Sequence, residues 1–160
     1  MTGLELALVA VLLAALIALT VIDARTYQLP DVITLPLIVA GIGAAWLQGE
    51  VLWLHLLGAG IGYLTLVAIE KAYERARGRE GLGRGDAKLF AAGGAWCGAL
   101  GLPLILLAGS ISALFFAAGM HLTGRKISAE TAVAFGPFLS FGIALVYILD
   151  RLDLMGPFGL

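Results

Sequence analysis

Near its N-terminus the chain carries a run of twenty residues with a single charge, GLELALVAVLLAALIALTVI at residues 3–22. A helix needs about twenty consecutive apolar residues to cross the hydrocarbon core of a bilayer. The run is too long for the apolar part of a signal peptide, and no basic segment precedes it. It therefore predicts a transmembrane helix of the mature protein.

Further apolar runs follow this first one along the chain. Because they are uninterrupted, they exclude a transmembrane β-barrel, whose strands alternate polar and apolar residues. The pattern predicts an all-α, polytopic membrane protein with six transmembrane helices in a single domain, residues 1–160. The six expected helices lie at about residues 3–22, 32–47, 51–69, 87–100, 103–121 and 132–149.

The composition excludes several classes of protein. Of the 160 residues 61% are hydrophobic, the mean hydropathy is +1.00 and only 13% are charged, against about 25% in a soluble domain. A soluble globule and a disordered chain are both excluded. A net charge of −1 without a broad basic face argues against nucleic-acid binding. The single Cys97 excludes a disulfide framework, and the two distant histidines, His55 and His121, predict no metal cluster.

The basic residues predict the orientation in the membrane. With six spans, nine of the ten basic residues lie in the three connections that share one face, and only Arg151 lies outside them. Positive residues concentrate on the cytoplasmic side, so this face is expected to be cytoplasmic and both termini outside the cytoplasm. The nine are Arg25, Lys71, Arg75, Arg77, Arg79, Arg84, Lys88, Arg125 and Lys126.

One long hydrophilic connection, residues 70–86, is predicted to be a cytoplasmic loop. Its first part, residues 70–77, could extend the third helix beyond the bilayer. Its second part, residues 78–85, contains four glycines and is expected to be a loop. We expect this connection to gate access to whatever site lies on the cytoplasmic face.

Two carboxylates on that face are the candidates for chemistry. Asp23 ends the first predicted helix and Asp86 begins the fourth. Close carboxylates do not both ionise readily, so one retains a proton; the ionised one can activate water while the protonated one donates to a carbonyl oxygen. Helix capping is the alternative explanation for Asp86 and for Asp31, which precede apolar runs. Asp23, at a helix C-terminus, has no such explanation.

The glycines near Asp86 fit a site that accepts a peptide strand. Gly83 and Gly85 leave the approach to Asp86 without side chains, so that a substrate backbone could come close. The pair Gly94 and Gly98 has the Gly-x-x-x-Gly spacing typical of tightly packed membrane helices. We interpret that second pair as packing, and Cys97 as a small packing residue.

Four stretches together resemble one family, the prepilin peptidases or type IV leader peptidases, which are membrane aspartyl proteases with a G-x-G-D signature. They occur in the family order and span almost the whole chain. They are DARTYQLPDVITLPL at residues 23–37, EGLGRGDAKL at 80–89, AAGGAW at 91–96 and FGPFL at 135–139.

This resemblance implies a function and a set of site residues. It implies a multi-pass endopeptidase of the bacterial cytoplasmic (inner) membrane that removes the short basic leader of prepilin or pseudopilin precursors, with Asp23 and Asp86 as the catalytic pair. No metal or other cofactor is expected. Gly83 and Gly85 are expected to hold the leader strand.

Three further residues are candidates for substrate binding. Gly136 and Pro137, in the FGPFL stretch, could floor the site, and ordinary helix packing is an equal alternative. Lys88 lies one helical turn inside the site and could pair with an acid early in the mature substrate. Its alternative is an interfacial lysine whose ammonium reaches toward water.

The chain departs from many members of the family in one respect. Those members resemble a fusion with an N-terminal cytoplasmic domain that carries paired C-x-x-C motifs, and they have an associated N-methyltransferase activity. This chain has one cysteine and begins at the first helix, so methylation is not expected. A natural minimal form and a trimmed form are both open, as are the oligomeric state and the pilin or secretion system concerned.

A non-enzymatic function is the alternative to a peptidase. A membrane assembly factor that binds pilin-like helices, or a transporter subunit, would also be a polytopic helical protein. A transporter should carry charges near the middle of its helices, whereas here the charges cluster at one interface. A protein that only binds such helices would lack one of the two aspartates, and both are present.

Overall fold

The computed structural model of the chain describes residues 2–78, 83–122, 134–152 and 154. Within these ranges every regular element is an α-helix, which confirms the predicted all-α class. Helices α1, α3 and α4 contain segments that are long and apolar enough to cross a membrane. The helices are α1 (Gly3–Thr26), α2 (Asp31–Leu47), α3 (Leu52–Arg77), α4 (Arg84–Leu122) and α5 (Gly136–Arg151).

The first helix has well-defined ends. Thr2 and Glu5 form a capping box at its N-terminus, in which each side chain satisfies a backbone N–H of the other residue. The one charge of the apolar run therefore serves the helix end. At the other end Tyr27 takes a left-handed conformation, with φ 54°. Because α1 continues to Thr26, Asp23 lies in its last turn.

Helix α4 reverses direction at Gly98. This residue has φ 66° and ψ 176°, a backbone conformation that glycine adopts without strain. A Cβ placed on Gly62 of α3 would lie 2.8 Å from the Phe90 carbonyl oxygen and 3.2 Å from Leu102 Cδ2. In a straight helix those two residues would be about 18 Å apart. The parts of α4 before and after Gly98 are therefore antiparallel arms, which we call the first arm (residues 84–97) and the second arm (residues 99–122).

The first arm of α4 forms the centre of the bundle. Nearly all of its residues from 86 to 97 are buried, Lys88 excepted. Small residues allow this close packing: a Cβ added to Gly94 would clash with the backbone of Gly58 on α3, and one added to Gly41 on α2 would lie 2.6 Å from Trp96 Cδ1. Gly94 thus packs against a neighbouring helix as the Gly-x-x-x-Gly spacing predicted.

Successive helices alternate in direction, so their ends gather into two groups. At one end, Asp23 of α1 meets Gly136 of α5, and Lys88 of α4 meets Asp31 of α2. We call this the Asp23 end. At the opposite end, which we call the Glu50 end, Glu50 follows α2 and contacts Arg151 at the end of α5.

Several predicted boundaries differ from the structure. Residues 70–77 continue α3, as the sequence allowed, and Gly78, with φ 67°, follows the helix end. Helix α4 begins at Arg84, inside the segment 78–85 that was expected to be a loop. Residues 79–82 and the polar link at 123–131 lie outside the described residues, so the expected gating falls partly outside them. Asp150 and Arg151 lie beyond the sixth helix expected at 132–149, and they end α5.

Candidate active site

Asp23 lies where one helix ends and another begins. Its side chain is buried, with 5% of the residue exposed, and its Oδ2 accepts a hydrogen bond from the backbone N–H of Gly136 at 3.0 Å. A carboxylate is unfavourable at the C-terminus of its own helix α1 but favourable at the N-terminus of α5. Asp23 thus serves as the cap that α5 lacks locally, since Phe135 makes no side-chain cap hydrogen bond.

Asp86 occupies the first turn of α4. The residue is 9% exposed, and its backbone N–H donates to the Gly83 carbonyl at 3.0 Å. Because α4 begins at Arg84, Asp86 is inside the helix, and the alternative that it is the residue before the helix is wrong. Its position still places a carboxylate at the positive end of the helix dipole.

The two aspartates line one cavity at the Asp23 end. The cavity has a volume of about 340 Å³ and a mainly polar lining, and the two carboxylates are close enough to interact electrostatically. No basic side chain of the described residues forms an ion pair with either of them. The lining residues are Asp23, Tyr27, Gln28, Leu29, Asp31, Gly83, Arg84, Gly85, Asp86 and Lys88.

The two glycines before Asp86 lie in different surroundings. A Cβ on Gly83 would be 3.6 Å from Asp86 Oδ2, an ordinary contact, whereas a Cβ on Gly85 would be only 2.8 Å from Leu29 Cβ. Gly85 therefore lets the connection between α1 and α2 pack against the start of α4. This packing role was not found from the sequence, since Leu29 and Gly85 are far apart in the chain.

Lys88 is engaged within the protein. Its ammonium donates to Asp31 Oδ1 at 2.5 Å, and both side chains line the cavity. The expectation that Asp31 caps α2 is wrong: the N-cap position is Pro30, and no side chain bonds to the helix end there. Asp31 is the first residue of α2 and points its carboxylate toward Lys88 instead.

Gly136 and Pro137 begin α5 and are not among the residues that line the cavity. Gly136 contacts Asp23 directly, and a Cβ at this position would lie 2.5 Å from Asp23 Oδ2. Pro137 lies in the first turn of α5, where its missing N–H leaves no hydrogen bond unmade. The structure thus brings Gly136 to the candidate pair, and it places Pro137 next along the chain.

In the part of the chain that the structure describes, the remaining candidate ligands are not assembled into a metal site. Among the described residues no group of three or more His, Cys, Asp or Glu side chains could hold a metal ion. His55 lies at the Glu50 end, where its Nε2 is 2.9 Å from Glu50 Oε2. Cys97 is 2% exposed and packs in the apolar core, as its interpretation as a packing residue predicted.

The fold and the cavity together define a class of protein, an all-α membrane protein that holds two buried aspartates at one end of its helix bundle. Residues 10–118, more than half of the chain, match the type IV leader peptidase family. The chain belongs to that family, as its four motifs predicted.

Individual relatives agree with this assignment. The chain is 41% identical over 135 residues to a prepilin leader peptidase/N-methyltransferase of Aeromonas salmonicida, which covers 82% of this chain and 46% of the relative. It is 41% identical over 137 residues to the protein of that name from Dickeya chrysanthemi, covering 85% and 48%. For the Xanthomonas campestris protein the identity is 37% over 142 residues, covering 86% and 48%.

The chain thus spans about half the length of these relatives. No solved structure matches it.

Proposed function

We propose that this protein is an aspartic endopeptidase of the bacterial cytoplasmic (inner) membrane that removes the short basic leader from prepilin or pseudopilin precursors. The observation that carries the proposal is the placement of Asp23 and Asp86, both buried, on one polar cavity. The names of the relatives and the family membership support the substrate class.

Two carboxyl groups in this cavity can hydrolyse a peptide bond without a covalent intermediate. The pair shares one proton and titrates as a unit. The ionised carboxylate removes a proton from water as the water oxygen attacks the scissile carbonyl carbon, and the protonated one donates to the carbonyl oxygen. Collapse of the tetrahedral intermediate then needs a proton on the leaving nitrogen, which the former base supplies.

The backbone around the pair supports this role. The N–H of Gly136 donates to Asp23, and Asp86 lies at the N-terminus of α4. Both contacts stabilise negative charge, so the pair can hold one charge in a buried place. The single shared proton then relieves the repulsion that a second charge would cause.

The proposal includes a topology of six membrane crossings. The two antiparallel arms of α4, together with α1, α2, α3 and α5, make six alternating helical segments. Positive residues favour the cytoplasmic side, which places the Asp23 end in the cytoplasm and both termini outside it. The described basic residues at the Asp23 end are Arg25, Lys71, Arg75, Arg77, Arg84 and Lys88.

In this orientation the substrate has a defined placement. Its apolar helix lies in the bilayer and its leader in the cytoplasm, so the scissile bond falls at the depth of Asp23 and Asp86. We propose that the backbone at Gly83 and Gly85 holds the leader strand, and that Gly136 and Pro137 floor the site. Lys88, which is held by Asp31 without substrate, would be released for an acid of the mature segment.

Cleavage of a synthetic precursor by the purified, detergent-solubilised protein tests the proposal. Asp86→Asn should lose cleavage because an amide cannot share the catalytic proton. Glu74→Gln is the matched control, since Glu74 is an exposed acid on α3 near the Asp23 end and should cleave at the wild-type rate. EDTA should leave the initial rate unchanged.

Two outcomes would contradict the proposal. If the wild-type protein binds the precursor but never cleaves it, the chain acts as a binding or assembly factor. If Asp86→Asn cleaves like the control, the paired carboxylates do not perform the reaction.

A further inference from the structure

An exchangeable ion pair lies at the mouth of the cavity that contains Asp23 and Asp86. Asp31 and Lys88 are joined at 2.5 Å, and their side chains are 54% and 25% exposed. Ion pairs with such exposure contribute little net stability, because water solvates the separated charges almost as well. A cation from outside can therefore displace Lys88 from Asp31 at small cost.

Asp31 lies where a carboxylate is favoured. It is the first residue of α2, and a carboxylate in the first turn of a helix is stabilised by the helix dipole. Lys88 reaches Asp31 through a flexible four-carbon chain from α4, so it can swing toward water without moving either helix. The pair thus has a fixed acceptor and a movable cation.

We propose that Asp31 is a specificity-determining residue that binds a lysine or arginine side chain of the peptide, and that Lys88 occupies this position when no substrate is bound. The inference rests on the proposed function, because it assumes that a peptide enters the cavity. A carboxylate that already holds an ammonium group, beside a candidate hydrolytic pair, will accept the ammonium or guanidinium group of a bound chain.

The placement of Asp31 also indicates which part of the substrate carries the cation. More than half of its side chain is exposed, at the end of the bundle where polar helix ends gather. A charged residue within the bilayer would be costly, so the cation must lie in the part of the substrate outside the membrane. Asp31 therefore binds a residue of the leader and not one of the apolar helix.

A role in folding alone predicts a different pattern of mutant effects. If the pair only joined α2 to α4, Asp31→Asn and Lys88→Gln would both remove the same contact and act alike. If Lys88 is a substitute for the substrate cation, the two variants act in opposite directions. Asp31→Asn removes the binding group, whereas Lys88→Gln removes its competitor.

The experiment uses the purified protein and sets of synthetic precursors. Within a set, the precursors carry Lys, Gln or Glu at one position of the leader. Each set varies a different leader position. At the leader position that Asp31 binds, the wild-type protein should favour Lys over Gln by about fivefold in kcat/KM. The preference should come from a lower KM for the Lys peptide. Asp31→Asn should lose this preference. With precursors that carry no acid early in the mature segment, Lys88→Gln should keep the preference and lower KM for the Lys peptide.

Equal losses in both variants for all three peptides would overturn the inference, as would a Lys preference that persists in Asp31→Asn. Either result leaves the proposed function intact, because cleavage is still observed. If no peptide is cleaved, the proposed function fails. In that case, fluorescently labelled versions of the same peptides are bound to the Asp86→Asn protein. A higher affinity for the Lys peptide than for the Gln and Glu peptides would support the role of Asp31, and equal affinities would refute it.

Discussion

The two ends of the helix bundle hold acidic residues in opposite ways. At the Glu50 end, Glu50 accepts a hydrogen bond from Arg151 and lies 2.9 Å from His55 Nε2. At the Asp23 end, Asp23 and Asp86 face a common cavity, and no basic side chain of the described residues pairs with them. The Glu50 end pairs a half-buried carboxylate with cations, whereas the Asp23 end leaves two buried carboxylates without such partners among the described residues.

The contacts at the Glu50 end connect several helices near the point where α4 reverses direction. Near the break at Gly98, backbone carbonyls lose their helical partners, and His55 Nδ1 donates to one of them, the Ala95 oxygen, at 3.0 Å. A carbonyl only accepts, so this nitrogen must carry the proton. The guanidinium of Arg151 lies 5.0 Å from the centre of the Tyr147 ring. These contacts hold α3, α4 and α5 in register.

This contrast separates structural acids from candidate catalytic ones in this protein. A buried carboxylate that has cationic partners is explained by stability, since removing one partner leaves an uncompensated charge. A buried carboxylate without a cationic partner lowers stability and needs another reason to be there. The proposed activity supplies such a reason, because reactive sites commonly reduce the stability of the fold.

The largest expected effect is on activity at the Asp23 end. Asp23→Asn and Asp86→Asn should each lower kcat/KM by about a thousandfold or more. The melting temperature should stay equal or rise, because an amide in the cavity avoids the cost of a buried carboxylate. A cleavage assay and a thermal melt on each variant check this. A large loss of thermal stability would mean that the aspartates support the fold.

The next effect is on stability at the Glu50 end. Arg151→Leu should lower the free energy of unfolding by about 1–2 kcal/mol, since it leaves the half-buried Glu50 without its arginine partner. Cleavage below the melting temperature should change little. Arg75→Leu, which removes an exposed cation on α3, is the control and should melt like the wild type. Equal melting of the two variants would refute a structural role for Arg151.

A smaller effect is expected where the backbone touches the candidate pair. In Gly136→Ala the new Cβ would lie 2.5 Å from Asp23 Oδ2, so the carboxylate must move. Misplacement of a catalytic group by about 1 Å can cost up to about a hundredfold, and we expect a loss of ten- to a hundredfold in kcat. Gly43→Ala on α2, whose Cβ would meet nothing within 4 Å, should retain full activity.

The smallest effect is a pH dependence of stability. Burial acts to raise the pKa of Glu50, but hydrogen bonds from His55 and Arg151 outweigh it and hold this pKa below its ordinary value of 4.5. A lowered carboxylate pKa contributes stability that is fully present above pH 4.5 and is lost as the pH falls through the folded-state value. Melts between pH 6 and pH 3 should show this decline, and Glu50→Gln should flatten it.

Much of the fold and the candidate pair could be predicted from local pattern. The apolar runs indicated helices because a membrane span has a fixed length, and the predicted segments at 87–100 and 103–121 correspond to the two arms of α4. Asp23 and Asp86 could be selected because both fall where an apolar run meets a polar connection. The helix boundaries were less accurate, since α1, α3 and α4 extend by several residues into those connections.

Contacts between distant residues could not be predicted in the same way. Nothing local indicates that Lys88 binds Asp31, 57 residues away, or that Arg151 reaches Glu50, 101 residues away. Charged residues near helix ends have many possible partners, and only the packing of the helices selects one. For the same reason Gly98 was interpreted as a packing residue, although its positive φ makes it the point of reversal.

The helical class, the membrane-length segments and the residues able to perform acid and base chemistry follow from the amino-acid sequence, because each depends on composition and short-range spacing. The tertiary structure decided which of those residues meet. It brought the N–H of Gly136 to Asp23 across 113 residues and placed Asp86 on the same cavity. Such meetings depend on how whole helices pack, and the free energy of that packing is shared among many small contacts along each helix.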